Sequence, residues 1–359
     1  MKGNWKRPLA AFCAAAALLV LLPLNGVAWA RESQDVCFGD QTYPADSTEL
    51  SLSGVSLEEV EAALPLFPNL QKVILSDTGA DDEALDALNR AYPDISIVWT
   101  VQIGRFSIRT DAIWFYTADD LSITNESIQK LRYCTEMVAV DIGHMKNITD
   151  CTWLETMPHV KYLILADSSI TDISPVAGLK ELIYLELFNL KLDDYSPLLG
   201  CTALQDLCLG NTHADPEPLS HMTWLHNLHW YRGLFEASTR EAVSRLPEQL
   251  PQTNVMLDVT GKIGNPWRSM ANYYVFRDII GADFRNQSFI AQNWGSEDAK
   301  KILACDHHEP FAGDILAEIV KERMENDQPI FGVQNEEQAQ ALYQSLCESH
   351  NYRNREGAQ

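Results

Sequence analysis

Positive charge is scarce in this sequence. In 359 residues, 27 Lys+Arg stand against 50 Asp+Glu, for a formal net charge of −23. A reader of nucleic-acid phosphates is excluded, because that affinity is carried by cationic contacts. A polybasic membrane-surface role fails for the same reason. Beyond the first thirty residues no apolar run approaches the roughly 18–20 residues that cross a bilayer. Also missing are G-x-S-x-G, a P-loop, H-E-x-x-H and an EF-hand loop. Two carboxylates can always be paired for hydrolysis in so acidic a chain, so they point to no chemistry. Apolar residues are not scarce: hydrophobic content is 46% and aromatic content 9%. That composition excludes a disordered acidic tail and leaves a folded chain of one large or two ordinary domains.

Residues 1–30 read as a secretory leader. Lys2, Lys6 and Arg7 open it, an apolar run follows from Leu9 to Leu24, and Ala28-Trp29-Ala30 supplies small residues for cleavage. Pro23 and Asn25 argue against an uncleaved anchor, and Phe12 before Cys13 argues against a lipoprotein. The reading predicts an exported protein, secreted and extracellular or at the cell surface. It has no stable membrane insertion after cleavage, and the mature chain is three charges more negative still.

From about 45 to 260 an internal period dominates. Residues 160–181, 182–203 and 204–224 superpose, with a looser copy at 137–159. Val160, Leu182, Leu204 and Leu225 recur in register, as do Leu163, Leu185, Leu207 and Leu228, and then Leu165, Leu187, Leu209 and Trp230. Pro175, Pro197 and Pro218 close the pattern. No such unit can bury its apolar edge alone, so the units must stack, with the L-x-x-L-x-L strands in parallel about 4.8 Å apart. Upstream, Leu50 and Leu52 recur as Val73 and Leu75, each followed by a helical pattern (57–66 and 81–92). The alternation over 101–117 predicts an inserted β-hairpin, and a helix is expected to start near Thr124 or Asn125.

The period and the Thr-Asp-Ile-Ser-Pro string of 171–175 resemble bacterial leucine-rich repeats of the internalin-like type. The resemblance implies an α/β fold: a leucine-rich-repeat solenoid with a parallel β-sheet on a concave binding face. One departure concerns the consensus asparagine. That position is held by Ser168, Leu190 and Thr212, while Asp167, Asn189 and Asn211 lie one residue earlier. The chain also ends in polar residues rather than an internalin-type sorting motif and hydrophobic tail.

The predicted organisation is a leader over 1–30, repeats over 31–262, and a mainly α C-terminal region over 263–359. In that last region Trp267–Ile280 reads as a helix capping the final repeat, with Tyr273, Phe276 and Ile280 on one face. Further helices are expected near 296–304, 312–325 and 335–348, with a short strand over 328–333.

Alternation along the strands assigns the outward side chains to the concave face. The candidate partner-binding residues are Tyr162, Ile164, Tyr184, Glu186, Phe188, Asp206, Asn227, His229 and Tyr231. An aromatic and acidic column suits a protein or peptide ligand, host or cell-surface partners included. Cys208 shares this face as an exposed thiol. Cys134, Cys151 and Cys201 fall at core positions of the repeat, and Cys305–Cys347 is the favoured pair if a disulfide forms. The Cys305-Asp306-His307-His308-Glu309 run is the most enzyme-like string, but it lacks a partner D-x-D or H-x-H motif. The expectation is therefore a binding protein with no catalytic residues, metal or cofactor. The alternatives are a hydrolase with its site in the C-terminal region, or a cell-envelope structural protein.

Overall fold

The computed structural model describes residues 35–38, 41–118, 120–211, 214–231, 237–258, 267, 270–280, 297–298, 300–301, 312–330 and 333–354. A small antiparallel hairpin, β1 (Val36–Phe38) with β2 (Gln41–Tyr43), opens it. Two helix-containing units follow. Strands β3 (Glu49–Ser53), β4 (Lys72–Ser76) and β5 (Ser96–Val98) pair in parallel. Helix α1 (Leu57–Ala63) lies between the first two and α2 (Asp82–Ala91) between the last two. Both starts are written in the sequence. The Ser56 hydroxyl accepts from Glu59 N while the Glu59 carboxylate accepts from Ser56 N, a reciprocal cap. The Asp81 carboxylate accepts from Ala84 N at 2.9 Å.

The antiparallel hairpin β6 (Thr100–Ile103) and β7 (Phe106–Arg109) interrupts the stack. Expected over 101–117, it is shorter than that. Trp114–Tyr116 is not part of it but forms β8, the first strand of the main sheet. That sheet runs in strict sequence order through β9 (Ala139–Asp141), β10 (Tyr162–Ile164), β11 (Tyr184–Glu186), β12 (Asp206–Leu209), β13 (Asn227–Tyr231) and β14 (Asn254–Asp258). Every pair is parallel. Leu163 sits beside Leu185, Leu185 beside Leu207, and Leu207 beside Leu228, so one repeat is one strand spacing. These leucines and Val140 are fully buried in one continuous core that also takes in Leu50, Val73 and Ile97. Helix α3 (Asn125–Ile128), capped by Thr124 as expected, leads into the stack, and α4 (Ala237–Gln249) packs near its far end.

Two polar devices repeat from unit to unit. After each strand one residue adopts a left-handed conformation: His144, Asp167, Asn189 and Asn211 have φ of 65°, 60°, 60° and 54°. Asn and Asp tolerate that region best among side-chain-bearing residues, which accounts for their place one residue before the consensus asparagine. Their side chains form a ladder. Asn211 Nδ2 donates to Asn189 Oδ1 at 2.7 Å, and Asn189 Nδ2 donates to Asp167 Oδ1 at 3.2 Å. Asp167 also takes Lys146 Nζ at 2.6 Å and pairs with His144 Nδ1 at 3.0 Å. Partial burial works to raise the Asp167 pKa, but Lys146, His144 and Asn189 together hold it below the ordinary carboxylate value. The ladder is displaced by one residue rather than lost.

The second device is the Asp before each 3₁₀ turn. Asp150, Asp172, Asp194 and Asp215 accept from the backbone N–H two residues on, at 2.8–3.0 Å. Pro175, Pro197 and Pro218 then stand in the first turn, where no N–H is needed. Gly210, with φ of 128°, lies where a Cβ would meet Tyr231 O at 1.7 Å, so only glycine fits.

The C-terminal region holds α5 (Ala271–Ile279), α6 (Ala312–Glu325) and α7 (Glu336–Asn354), the last two packed against each other. Residues 328–330 are not a strand as expected, and 331–332 lie outside the described residues. Among the described residues no helix is long and apolar enough to cross a membrane, and the leader lies outside them.

Candidate functional site

The concave sheet face consists of two rows that the parallel register generates. One runs Ala139, Tyr162, Tyr184, Asp206, Asn227 and Asn254; the other runs Asp141, Ile164, Glu186, Cys208, His229 and Met256. The alternation of the sequence therefore places the predicted site residues together on one face. It does not leave them open. Tyr162 and Tyr184 are 0% exposed, Glu186 1%, Asp206 and His229 3%, and Phe188 4%. Ile164 and Asn227 are also buried, and Tyr231 is half-buried. Strands buried on both faces read as near-continuous apolar and aromatic runs, as β10 does, whereas β12 opens on the buried Asp206.

What covers them is Trp267 and helix α5. This corrects the expected cap over the last repeat: the helix packs on the concave face, across the strands. Phe276 stacks on Tyr162 with ring centroids 6.0 Å apart and lies 5.9 Å from Tyr184. Tyr273 and Trp267 flank Tyr184 at 6.3 and 5.3 Å, and Trp267 also stacks on His229 at 5.8 Å. Phe188 meets Tyr231 edge-on at 5.1 Å. Such pairs add roughly 0.5–1.5 kcal/mol each beyond area burial.

Three carboxylates in this face are each met by a donor from the covering segment. Arg277 Nη1 reaches Asp141 Oδ2 at 2.6 Å, with both side chains under a tenth exposed. Asn272 Nδ2 donates to Asp206 Oδ2 at 2.9 Å. Trp267 Nε1 donates to Glu186 Oε1 at 3.0 Å, the same oxygen that accepts from the Tyr184 hydroxyl. Asp206 also accepts from Asn227 Nδ2 at 2.8 Å, and Asn227 Oδ1 accepts from Asn254 Nδ2 at 3.0 Å, a polar ladder along the far strands. Burial pushes the Asp206 carboxyl up to about 6, against the opposing pull of Asn227 and Asn272.

Asn254, Trp267, Asn272 and Arg277 were not among the expected site residues. The sequence did carry a signal for Arg277, which lies one helical turn after Tyr273, at the edge of an otherwise aromatic stripe.

Cys208, expected to be exposed, is fully buried beneath the helix with its sulfur 3.6 Å from His229 Nδ1. Cys134, Cys151 and Cys201 lie in the core, where burial pushes each thiol up to about 12. The Cys151 and Cys201 thiols donate to Asp172 O and Val176 O in neighbouring units, both at 3.3 Å. Cys347 is a free thiol; Cys305 and the whole 305–309 run lie outside the described residues. Among the described residues no three His, Cys, Asp or Glu side chains converge to hold a metal.

A second concavity of about 500 Å³ lies where the strands begin, against α7, and is lined by Lys161, Lys180, Glu181, Trp224 and His226 among others. Burial drives the His226 pKa down to about 4.

No protein-family model matches the chain, and no curated relative matches it. Solved structures do. An internalin of Listeria monocytogenes is similar at 19% identity and a TM-score of 0.32, over 64% of this chain and 67% of its own. Internalin C2 of the same organism shows 18% identity and a TM-score of 0.31, over 58% and 80%. A leucine-rich-repeat protein of Leptospira interrogans shows 15% and 0.29, over 56% and 51%. The strand register and the 22-residue step from Leu163 to Leu185 to Leu207 carry the assignment of the architecture. The fold is a leucine-rich-repeat solenoid.

Proposed function

We propose that the chain is an exported recognition protein, without catalytic activity of its own, that binds a protein or peptide partner through its concave face. The contact residues are Tyr162, Ile164, Tyr184, Glu186, Phe188, Asp206, Asn227, His229 and Tyr231. One observation carries the reading: this face holds a polypeptide helix, through aromatic stacking and matched polar pairs drawn from five successive strands. A sheet shaped and charged to seat one helix has the chemistry to recognise a peptide segment. Its aromatic, arginine-matched composition is that of protein–protein contact surfaces.

Alanine at Tyr184 or Phe188 would excavate a packed interface, at roughly 3–5 kcal/mol for each aromatic. The test therefore uses two milder changes in the full chain. Glu186→Gln keeps the side-chain volume and removes the charge, and Tyr231→Ala alters the half-buried edge. Affinity capture from surface-protein extracts should fall about tenfold with either variant, the equivalent of one lost contact of about 1.4 kcal/mol. Undiminished capture by both well-folded variants would remove the concave face from the recognition site.

A further inference from the structure

The two faces of the main sheet are built differently. The inner one, packed against the 3₁₀ turns, is lined by Val140, Leu163, Leu185, Leu207 and Leu228, all fully buried and apolar. The outer one buries Asp141, Glu186 and Asp206 beneath Trp267 and α5. A face that needed only to be covered could be as apolar as the inner one. Burying carboxylates instead is unfavourable unless each finds a matched partner. Each accepts a hydrogen bond from the covering segment: Trp267 on Glu186, Asn272 on Asp206 and Arg277 on Asp141. Along α5 itself, Asn272, Tyr273, Phe276 and Arg277 reach β12, β11, β10 and β9 in turn. The strands they reach, β9 to β13, span about 19 Å at 4.8 Å per strand. The helix thus crosses the strands and samples one unit after another. Tyr, Trp and Arg at the contact, with polar pairs of defined position, are the composition of an interface between separate proteins.

We propose that the concave sheet is a receptor for an amphipathic helix bearing an aromatic stripe and a trailing cation. Trp267 and α5 occupy it in cis, and a helix of the same chemistry from a partner protein displaces them. This rests on the recognition role given above and names its ligand. The chain's strong negative charge favours a partner presenting a cation. Recognition then requires α5 to leave the sheet while the repeats stay folded. The solenoid supports this, because its own core of leucines does not depend on the outer face.

Two cysteines of adjacent repeats provide the test in the unmodified full chain. Cys208 lies under the helix, whereas Cys201 lies in the inner core, and both are 0% exposed. Native protein is pulsed with iodoacetamide over hours, and labelling at each cysteine is read by peptide mass spectrometry. Release of α5, together with α6 and α7 that pack on it, exposes Cys208, while Cys201 waits for the repeats to unfold. The proposal predicts labelling of Cys208 about tenfold or more faster than of Cys201, the signature of sub-global opening. An excess of synthetic peptide 265–282 should then protect Cys208, and the same peptide carrying Tyr273→Ala and Arg277→Glu should not.

Equal rates at the two cysteines would make the helix a permanent layer and overturn the proposal. Faster labelling of Cys208 with no protection by the peptide would overturn the ligand chemistry. Rates that rise on dilution would make a second copy of the chain the occupant, against the partner proposed. Equal rates would also remove the concave face from the recognition site, whereas absence of peptide protection overturns the ligand chemistry alone and leaves capture by the Glu186→Gln and Tyr231→Ala variants to decide the recognition role.

Discussion

Asp206 and His226 set opposing pH dependences that nearly cancel, and removing either one exposes the other. Burial raises the Asp206 carboxyl from its ordinary 3.8 to about 6. Between those values the folded protein holds a proton that the unfolded chain has lost. Its contribution is fully present below about 3.8 and is lost as pH rises through about 6. Burial lowers His226 from 6.5 to about 4. There the unfolded chain holds the extra proton, so stability falls as pH drops from 6.5 toward 4. At about 1.4 kcal/mol per pH unit of displacement, each group is worth roughly 3 kcal/mol, with opposite sign. The carboxylates held low, including Asp167, Asp172 and Asp194, act mostly below this window. Urea unfolding of the wild type should therefore give nearly constant stability from about pH 4 to 6. Asp206→Asn should gain stability by roughly 3 kcal/mol as pH rises across that window, and His226→Gln should lose about as much. Both variants retaining the flat profile of the wild type would refute the reasoning.

Further outcomes are expected from single sites. Gly210→Ala forces a Cβ against Tyr231 O and should cost about 3 kcal/mol or abolish soluble expression, as read by thermal unfolding. Asn189→Ala removes two ladder hydrogen bonds and strains a left-handed residue, for a loss of about 2 kcal/mol; Asn189→Gly should recover the strain but not the bonds. Arg277→Leu leaves Asp141 buried without its ion-pair partner and should cost about 3–5 kcal/mol in urea unfolding. Combining it with Asp141→Leu should recover most of that. Cys134, Cys151 and Cys201, pushed up to about 12, should resist thiol reagents at neutral pH until the repeats unfold.

The repeats were legible because one physical rule acts in every unit. Leu163, Leu185, Leu207 and Leu228 must share a core, and Pro175, Pro197 and Pro218 must share a turn. The helical patterns over 57–66 and 81–92 and the cap near Thr124 announced their helices for the same local reason. Alternation also brought the nine candidate contact residues to one face. It could not say whether that face was open, because covering it is a long-range event: Arg277 and Asp141 are 136 residues apart. Trp114–Tyr116 was assigned to the hairpin because its alternation matches both a hairpin strand and a repeat strand, and only pairing with β9 decides. The ladder of Asp167, Asn189 and Asn211 was visible as a departure from consensus, but its cause, a left-handed backbone at each position, needed φ values.

The most direct measurement on the central claim is brief alkylation of the native protein, comparing Cys208 with the exposed Cys37 over about a minute. An occupied concave face predicts that Cys37 labels and Cys208 does not. Labelling of Cys208 as fast as Cys37 would mean an open sheet, and the helix-covered face described here would be wrong.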